Sequence, residues 1–307
     1  MKIIAVSSST YSQIEASLWK DDRFQPVGDH KVKIELDDGS IVEAGVFEVT
    51  KGHKKEFHAC ISTQAGCKFK CSFCSSGARG FERDLSCDEI LEEISILAKL
   101  AKIESFDRLM YMGIGEPMDN FDNVVGSIQQ LLEINPAYVG RISLATIGIL
   151  PKLHKLALLK LPLRRIWVSL HAASDEKRLQ IMPISKVYKA KELVVAAKAF
   201  AEVSGTETWL NYMIFQGFND SLEDASKLVE LLKDTEDDLS VVITVPNGER
   251  SGYVGGSLED VHRFQNYLIE LGMKNRTEHF FSVGRSSNAG CGEFVFYPSS
   301  TKIAVCS

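Results

Sequence analysis

The stretch Cys60-Ile-Ser-Thr-Gln-Ala-Gly-Cys67-Lys68-Phe69-Lys70-Cys71-Ser72-Phe73-Cys74 holds four of the chain's seven cysteines. Its second half spaces three thiols as C-x3-C-x2-C on what reads as a short loop after an extended segment. Three thiolates on a four-iron cluster leave one iron open, and an open iron can bind a small cofactor and pass it an electron. Structural zinc normally takes four protein ligands in paired spacing, and no second cysteine pair or nearby cysteine–histidine pair is present. A disulfide framework needs an oxidising compartment. The spacing favours an iron–sulfur cluster, with zinc and a disulfide as the competing readings.

Downstream of this loop, short apolar runs alternate with helical periodicity. Phe57–Ser62, Arg108–Met112, Arg141–Ala145, Ile166–Leu170, Trp209–Phe215 and Val241–Val245 read as strands. Helices are predicted near 87–102, 121–134, 150–160, 189–203 and 221–234, and a last one near 257–272. Ser86-Cys87-Asp88-Glu89 is a capping box that opens the first of them. Strands each followed by a helix require right-handed parallel crossovers. The expected fold class is therefore α/β, a partial (βα)6 barrel, with functional residues at the C-terminal strand ends. Upstream, Lys31–Leu36 alternates, Asp38-Gly39 marks a tight turn and Ile41–Val49 is extended again, which predicts a β-hairpin. Residues 1–30 carry only weak patterning. The expected organisation is an N-terminal extension with the hairpin over 1–56 and the barrel over 57–307, with extended segments at Glu293–Tyr297 and Ile303–Cys306.

Length and composition bound the function classes. A chain of 307 residues, 45% hydrophobic and 25% charged, can bury a sizeable core and is not disordered or collagen-like. No run approaches the roughly 20 apolar residues of a membrane span, and no signal peptide opens the chain. These features predict a soluble, cytoplasmic protein. Thirty-five Lys and Arg against 41 Asp and Glu leave a formal charge of −6. A nucleic-acid partner would have to meet a locally basic surface, since affinity for phosphate rests on cations.

The motifs carry a resemblance beyond these expectations. C-x3-C-x2-C after the first strand of a partial barrel, with Phe73 before the third cysteine, resembles the radical S-adenosylmethionine (SAM) superfamily. Cys60-Ile-Ser-Thr-Gln-Ala-Gly-Cys67, Gly80-Phe81, Arg83-Asp84-Leu85 and Met112-Gly-Ile-Gly-Glu-Pro117 are similar to the RlmN/Cfr family of radical SAM RNA methyltransferases. So are Ser169-Leu170-His171-Ala172, Asp175-Glu176 with Arg178, Met182-Pro183-Ile184, Asn219-Asp220 and Asn288-Ala-Gly-Cys291-Gly292. The resemblance runs from about Lys31 to Gly292.

The resemblance implies a [4Fe-4S] cluster on Cys67, Cys71 and Cys74, and SAM as the second cofactor. It implies that Cys291 is methylated by one SAM and gives up a hydrogen to the radical from a second. The resulting carbon radical adds to an adenine ring carbon, and Cys60 resolves the adduct through a transient Cys60–Cys291 disulfide. Polar methyl transfer fails at such an electrophilic amidine carbon, whereas radical addition followed by thiolate attack succeeds. A base is also needed, and Glu43 matches a family glutamate that contacts the target adenine; its competing reading is a solvated strand charge. Gly115, Glu116, Ser169, Leu170, His171 and Asn247 match SAM contacts, with a satisfied core histidine as the competing reading of His171. Cys87 and Cys306 match no role and read as small buried residues.

The implied partners are an RNA substrate and an electron donor such as flavodoxin or ferredoxin, with no membrane and a monomeric chain. Three features differ from the family pattern. Ala145-Thr146-Ile147-Gly148 lacks a hydroxyl at its first position, the loop Asn247–Ser257 is rewritten, and only about 30 residues precede the hairpin where relatives carry a helical RNA-gripping module. Candidate basic groups are Lys51, Lys54 and Lys55; Lys68, Lys70, Arg79 and Arg83; Arg164 and Arg165; and Lys186, Lys189 and Lys191. Two alternatives stand beside RNA methylation. One is the same chemistry on a free nucleotide or small heteroaromatic, and the other is a non-enzymatic iron–sulfur or zinc protein.

Overall fold

Every one of the six predicted βα units is present. A computed structural model describes residues 1–11, 25–246, 249–250, 252–281, 288–290 and 292–299. The chain divides into two compact units, the first comprising 1–68, 75–143 and 283–307, the second 69–74 and 144–282.

In the first unit, β1 (Lys2–Thr10), β2 (Gln25–Glu35), β3 (Ile41–Lys51) and β4 (Lys54–Ile61) form an antiparallel meander. The turn between β2 and β3 is the expected one, since Gly39 takes φ +86, which only glycine adopts without cost. Strand β1 was not legible, because it is almost wholly exposed and rich in serine, so no alternation marks it. The short strands β5 (Gln64–Gly66) and β6 (Phe81–Asp84) pair across the cysteine loop. Helix α1 (Cys87–Ala101) opens on the predicted box. Ser86 Oγ accepts the Glu89 N–H at 3.2 Å, and Glu89 Oε2 accepts the Ser86 N–H at 2.9 Å. Strand β7 (Arg108–Tyr111) lies parallel to β4, and α2 (Phe121–Ile134) follows it.

Strand β8 (Ile142–Thr146) has its first two residues in the first unit and the rest in the second. The second unit continues through α3 (Leu150–Leu159), β9 (Arg165–Ser169), α4 (Asp175–Ile181), α5 (Ala190–Ser204), β10 (Glu207–Met213), α6 (Leu222–Leu232) and β11 (Leu239–Val245). A short hairpin, β12 (Glu249–Arg250) with β13 (Tyr253–Val254), leads to α7 (Leu258–Glu270) and β14 (Thr277–Phe281). Strands β9, β10, β11 and β14 are mutually parallel in that order. Both α4 and β14 are additions to the expected elements, α4 being only two turns long and β14 falling in what reads as an extended tail after the last helix.

Each core follows the strand periodicity. Val32, Ile34, Val42 and Ala44 are fully buried in the first unit, and Val168, Leu210, Ile243 and Phe264 in the second. Strand β3 is buried on both faces from Ile41 to Phe47 because the segment 293–297 lies against it. Ile41 and Tyr297 exchange backbone hydrogen bonds of 2.8 and 2.9 Å. Gly45 is required there: a Cβ would stand 2.6 Å from the Phe47 ring and 3.0 Å from the Phe294 ring. The expected extended segment Glu293–Tyr297 is thus present, while Ile303–Cys306 lies outside the described residues.

Candidate active site

In the first unit, Cys60 is a buried cysteine outside any disulfide, near the end of β4 and in register with Gly45 on β3 and Met110 on β7. Glu43 is fully buried rather than the solvated strand charge that was its competing reading. Its carboxylate pairs with Lys31 Nζ at 2.7 Å and Lys33 Nζ at 3.8 Å, and Oε2 accepts the Val295 N–H at 2.8 Å. Two lysines from β2 and one backbone amide therefore hold this carboxylate against the C-terminal segment.

Cys291 itself lies outside the described residues, but both of its flanks are held. Gly290 N–H donates to Glu293 Oε2 at 2.8 Å. Gly292 O accepts from Ser75 N–H at 2.8 Å, and Phe294 O from the Ser76 hydroxyl at 3.2 Å. Ser75 is the residue that follows Cys74 along the chain.

The loop after β7 is bolted to the segment after β4. Ser62 Oγ donates to Glu43 O and accepts the Ile114 N–H, both at 3.0 Å. Gln64 Oε1 accepts the Glu116 N–H at 2.9 Å, while its Nε2 donates to Asp84 and Asp119. Gly115 sits at φ +105, and a Cβ would meet the Gln64 side chain at 2.6 Å. The Gly113-Ile-Gly115 pattern is thus demanded by this close packing. Glu116 is buried, and its Oε1 accepts the Met118 N–H at 3.0 Å. Beneath the same loop, the fully buried Glu93 of α1 accepts the Ser62 N–H at 3.0 Å, and burial pushes its carboxyl up to about 8.

In the second unit, Cys71 and Cys74 are half-buried cysteines outside any disulfide, as is Cys67 in the first. Phe73 anchors the cysteine loop, its ring edge-on to His171 at 5.0 Å and tilted on Phe215 at 5.6 Å. Ser72 N–H donates to Ile181 O at the end of α4 at 3.0 Å. The buried Ser72 hydroxyl has no hydrogen-bond partner among the described residues.

Ser169 ends β9, and Leu170 and His171 follow it. His171 is fully buried at φ +55, and its Nδ1 accepts the Met213 N–H at 3.1 Å, which leaves the ring proton on Nε2. Burial, with help from the nearby Arg178 charge, lowers its pKa to about 3, so the ring is neutral. Arg178 on α4 is fully buried and gives all its hydrogen bonds to neutral acceptors: Leu170 O at 3.2 Å, Ser185 Oγ and Tyr188 O at 2.9 Å, Ser169 O at 3.3 Å and Ile147 O at 3.4 Å. In the sequence Arg178 stands within the family-like Asp175-Glu176 and Arg178 motif without a role of its own; its burial was the missing signal.

Several expectations are corrected or moved. Cys87 is half-buried at the start of α1 rather than buried, and burial raises its thiol pKa. Asn247 and Cys306 lie outside the described residues. The Thr146 hydroxyl, next to the departure at Ala145, accepts the Gly148 N–H at 3.0 Å. In the rewritten loop, Tyr253 packs on Phe215 at 5.5 Å and Phe218 at 5.0 Å. Many of the expected basic groups are locally paired: Lys54 with Asp107, Lys55 with Glu48, Lys68 with Asp119, Arg83 with Asp38 and Glu89, and Arg165 with Glu207.

The cysteine loop fits a cluster better than a single ion. Among the described residues, no three Cys, His, Asp or Glu side chains converge on one ion site, as tetrahedral zinc requires. A cluster spreads its thiolates over separate irons. The partnerless Ser72 hydroxyl is a donor for an acceptor such as a cluster sulfur, and the buried Arg178 cation favours an anion beside Cys71.

A sequence model of the radical SAM superfamily matches residues 61–232. A probable dual-specificity RNA methyltransferase RlmN of Pseudothermotoga lettingae is 36% identical over 265 residues, 86% of this chain and 74% of that protein. One from Dictyoglomus turgidum is 35% identical over 269 residues, 86% of this chain and 74% of that protein. The chain belongs to the RlmN family. A solved radical SAM methyltransferase from Sphaerobacter thermophilus superposes with a TM-score of 0.79 at 25% identity, covering 92% of this chain and 85% of that one. As an RlmN-family member the chain is a radical SAM methyltransferase with the partial-barrel fold, and its cofactors are a [4Fe-4S] cluster and SAM. The non-enzymatic alternative is thereby set aside.

Proposed function

We propose that this chain methylates a ring carbon of adenine in RNA, with Cys291 as methyl carrier and Cys60 as resolving thiol. RNA comes from the printed function of its relatives and from the match of its motifs. The observation that carries the residue assignment is the pair of hydrogen bonds at 2.8 Å, Ser75 to Gly292 and Val295 to Glu43. They hold the segment around Cys291 between the residue after Cys74 and the carboxylate of Glu43. Cys67, Cys71 and Cys74 would hold the cluster, which when bound would supply the one electron that cleaves SAM to methionine and a 5′-deoxyadenosyl radical.

The protein's own residues do the rest. The Cys291 thiolate accepts a methyl group from one SAM, and the S-methyl then yields a hydrogen atom to the radical from a second. Its carbon bonds to the adenine ring, and the adduct would return one electron to the cluster, left oxidised by the cleavage of SAM, and give its ring proton to Glu43 as base. The Cys60 thiolate attacks the Cys291 sulfur, forming the S–S bond and expelling the methylene carbon with the electron pair of the broken C–S bond. A proton completes the methyl group, and a thiol reductant restores both cysteines. Glu43 sits one strand from Cys60, paired with Lys31 and Lys33, and orients the substrate ring. By the family match, Gly115 and Glu116 in the first unit would contact SAM, and so, each by that match alone, would Ser169, Leu170, His171 and Asn247. The buried neutral His171 acts by shape and its Nε2–H rather than by charge. The chain is a monomer fed by flavodoxin or ferredoxin, with the hairpin extension of 1–56 preceding the barrel.

Reconstituted protein with dithionite, SAM and RNA should form 5′-deoxyadenosine and a methyladenosine in RNA digests. Methylation of free adenine nucleotides but not RNA would replace this reading with the small-substrate one. Absence of both products would overturn the chemistry.

A further inference from the structure

The second unit contains a buried cation with no fixed anion. Arg178 is fully buried, and its guanidinium donates only to carbonyls and to the Ser185 hydroxyl. Among the described residues no carboxylate accepts from it; Asp175 of the same helix instead accepts the Ala190 N–H at 2.8 Å. Arginine stays protonated in proteins, so the charge is permanent. A buried charge without a counter-ion is costly even when its hydrogen bonds are satisfied. Cys71, a thiolate when it holds the cluster, is near enough to act on this charge, as is Asp175. The two are tied together, since Ser72 N–H donates to Ile181 O at 3.0 Å, three residues beyond Arg178 on α4.

We propose that Arg178 is the built-in counter-charge of the iron–sulfur cluster, a positioning residue whose charge stabilises the one-electron-reduced cluster relative to the oxidised one. The inference rests on the reading of Cys71 as a cluster ligand. Three thiolates leave the oxidised cluster net negative, and an electron from a low-potential one-electron donor makes it more so. A fixed positive charge in a low-dielectric surrounding therefore favours the reduced state and raises the midpoint potential. The same guanidinium binds the carbonyls of Ile147, Ser169 and Leu170, so the residue that sets the field also fixes the ends of β8 and β9.

The test is an EPR-monitored redox titration of reconstituted protein at matched iron content, with dithionite as reductant. In Arg178→Gln the ratio of reduced to oxidised cluster at a fixed potential should fall about tenfold, about 59 mV for one electron. Arg178→Lys, which keeps the charge, should recover most of it. Ser185→Asp leaves Arg178 in place but puts a carboxylate where Ser185 Oγ now accepts at 2.9 Å, and it should lower the ratio likewise. If Arg178→Gln does not fold, Ser185→Asp decides. A purely structural role would lower thermal stability while leaving the potential unmoved, and an unchanged midpoint in the folded variants would overturn the proposal. Cys71→Ala is reconstituted in parallel. Loss of its cluster spectrum upholds the ligand reading, so a flat Arg178 response then counts against this inference alone. An intact cluster in Cys71→Ala would overturn the ligand reading beneath it.

Discussion

At the residue scale, two buried carboxylates behave in opposite ways because their neighbours differ. Glu43 faces two lysines and an amide, and is anchored by all three; Glu93 faces one backbone amide, and burial favours its neutral form. Replacing Glu43 by Gln strands Lys31, whose side chain is 11% exposed, and should cost about 3 kcal/mol of stability. Adding Lys31→Met should recover part of that loss in a double-mutant cycle by denaturant unfolding, whereas strictly additive effects would deny the coupling. For Glu93 the folded pKa of about 8 lies above the ordinary 4.5. Stability from the neutral carboxyl is complete below pH 4.5 and drains away as pH rises toward 8. Glu93→Gln should match wild type near pH 5 and exceed it progressively up to pH 8, by about 1–3 kcal/mol. A difference independent of pH would contradict the assignment. Neither environment was legible in the sequence. The partners of Glu43 come from another strand and from a segment some 250 residues away, and one charged letter looks like another until burial is known.

At the element scale, much was legible, because βα repetition writes period-2 and period-3.6 patterns into the chain in turn. The six strands and the capping box before α1 appear where the pattern puts them. Strands β1 and β14 escaped for a physical reason: an exposed edge strand has no buried face to alternate, and β14 is five residues long. Of the site, the cysteine loop was legible by spacing, while its anchoring by Phe73 and Ile181 required the fold. Phe73→Ala removes a buried ring from its contacts with His171 and Phe215. It should cost about 3–5 kcal/mol and shorten the lifetime of the assembled cluster, read by loss of its visible absorbance after dilution. Phe73→Leu should fall between that variant and wild type. Gly148 follows β8 at φ +87, and a Cβ would stand 2.0 Å from Leu193. Gly148→Ala should therefore lower the melting temperature, and a neutral result would mean that the turn can be rebuilt without strain.

At the scale of the whole molecule, no helix is long and apolar enough to cross a membrane among the described residues, and the chain carries a net charge of −6. RNA binding by such a chain must use local cations left over from internal pairing. Lys186, Lys189 and Lys191 are exposed and make no ion pair with another described residue. Neutralising Lys186 and Lys191 together should reduce the slope of log affinity for RNA against log salt by about 1.5 while leaving SAM cleavage without RNA intact. An unchanged slope would remove these lysines from the phosphate path. The central claim, that a carbon radical on Cys291 joins RNA and that Cys60 releases it, is tested most directly by trapping. Cys60→Ala protein isolated from cells should carry RNA bound covalently through Cys291, seen as a nuclease-sensitive shift on a denaturing gel and as a nucleoside adduct on the Cys291 peptide. Cys60→Ala protein free of RNA, together with a Cys291→Ala variant that still methylates it, would contradict the account.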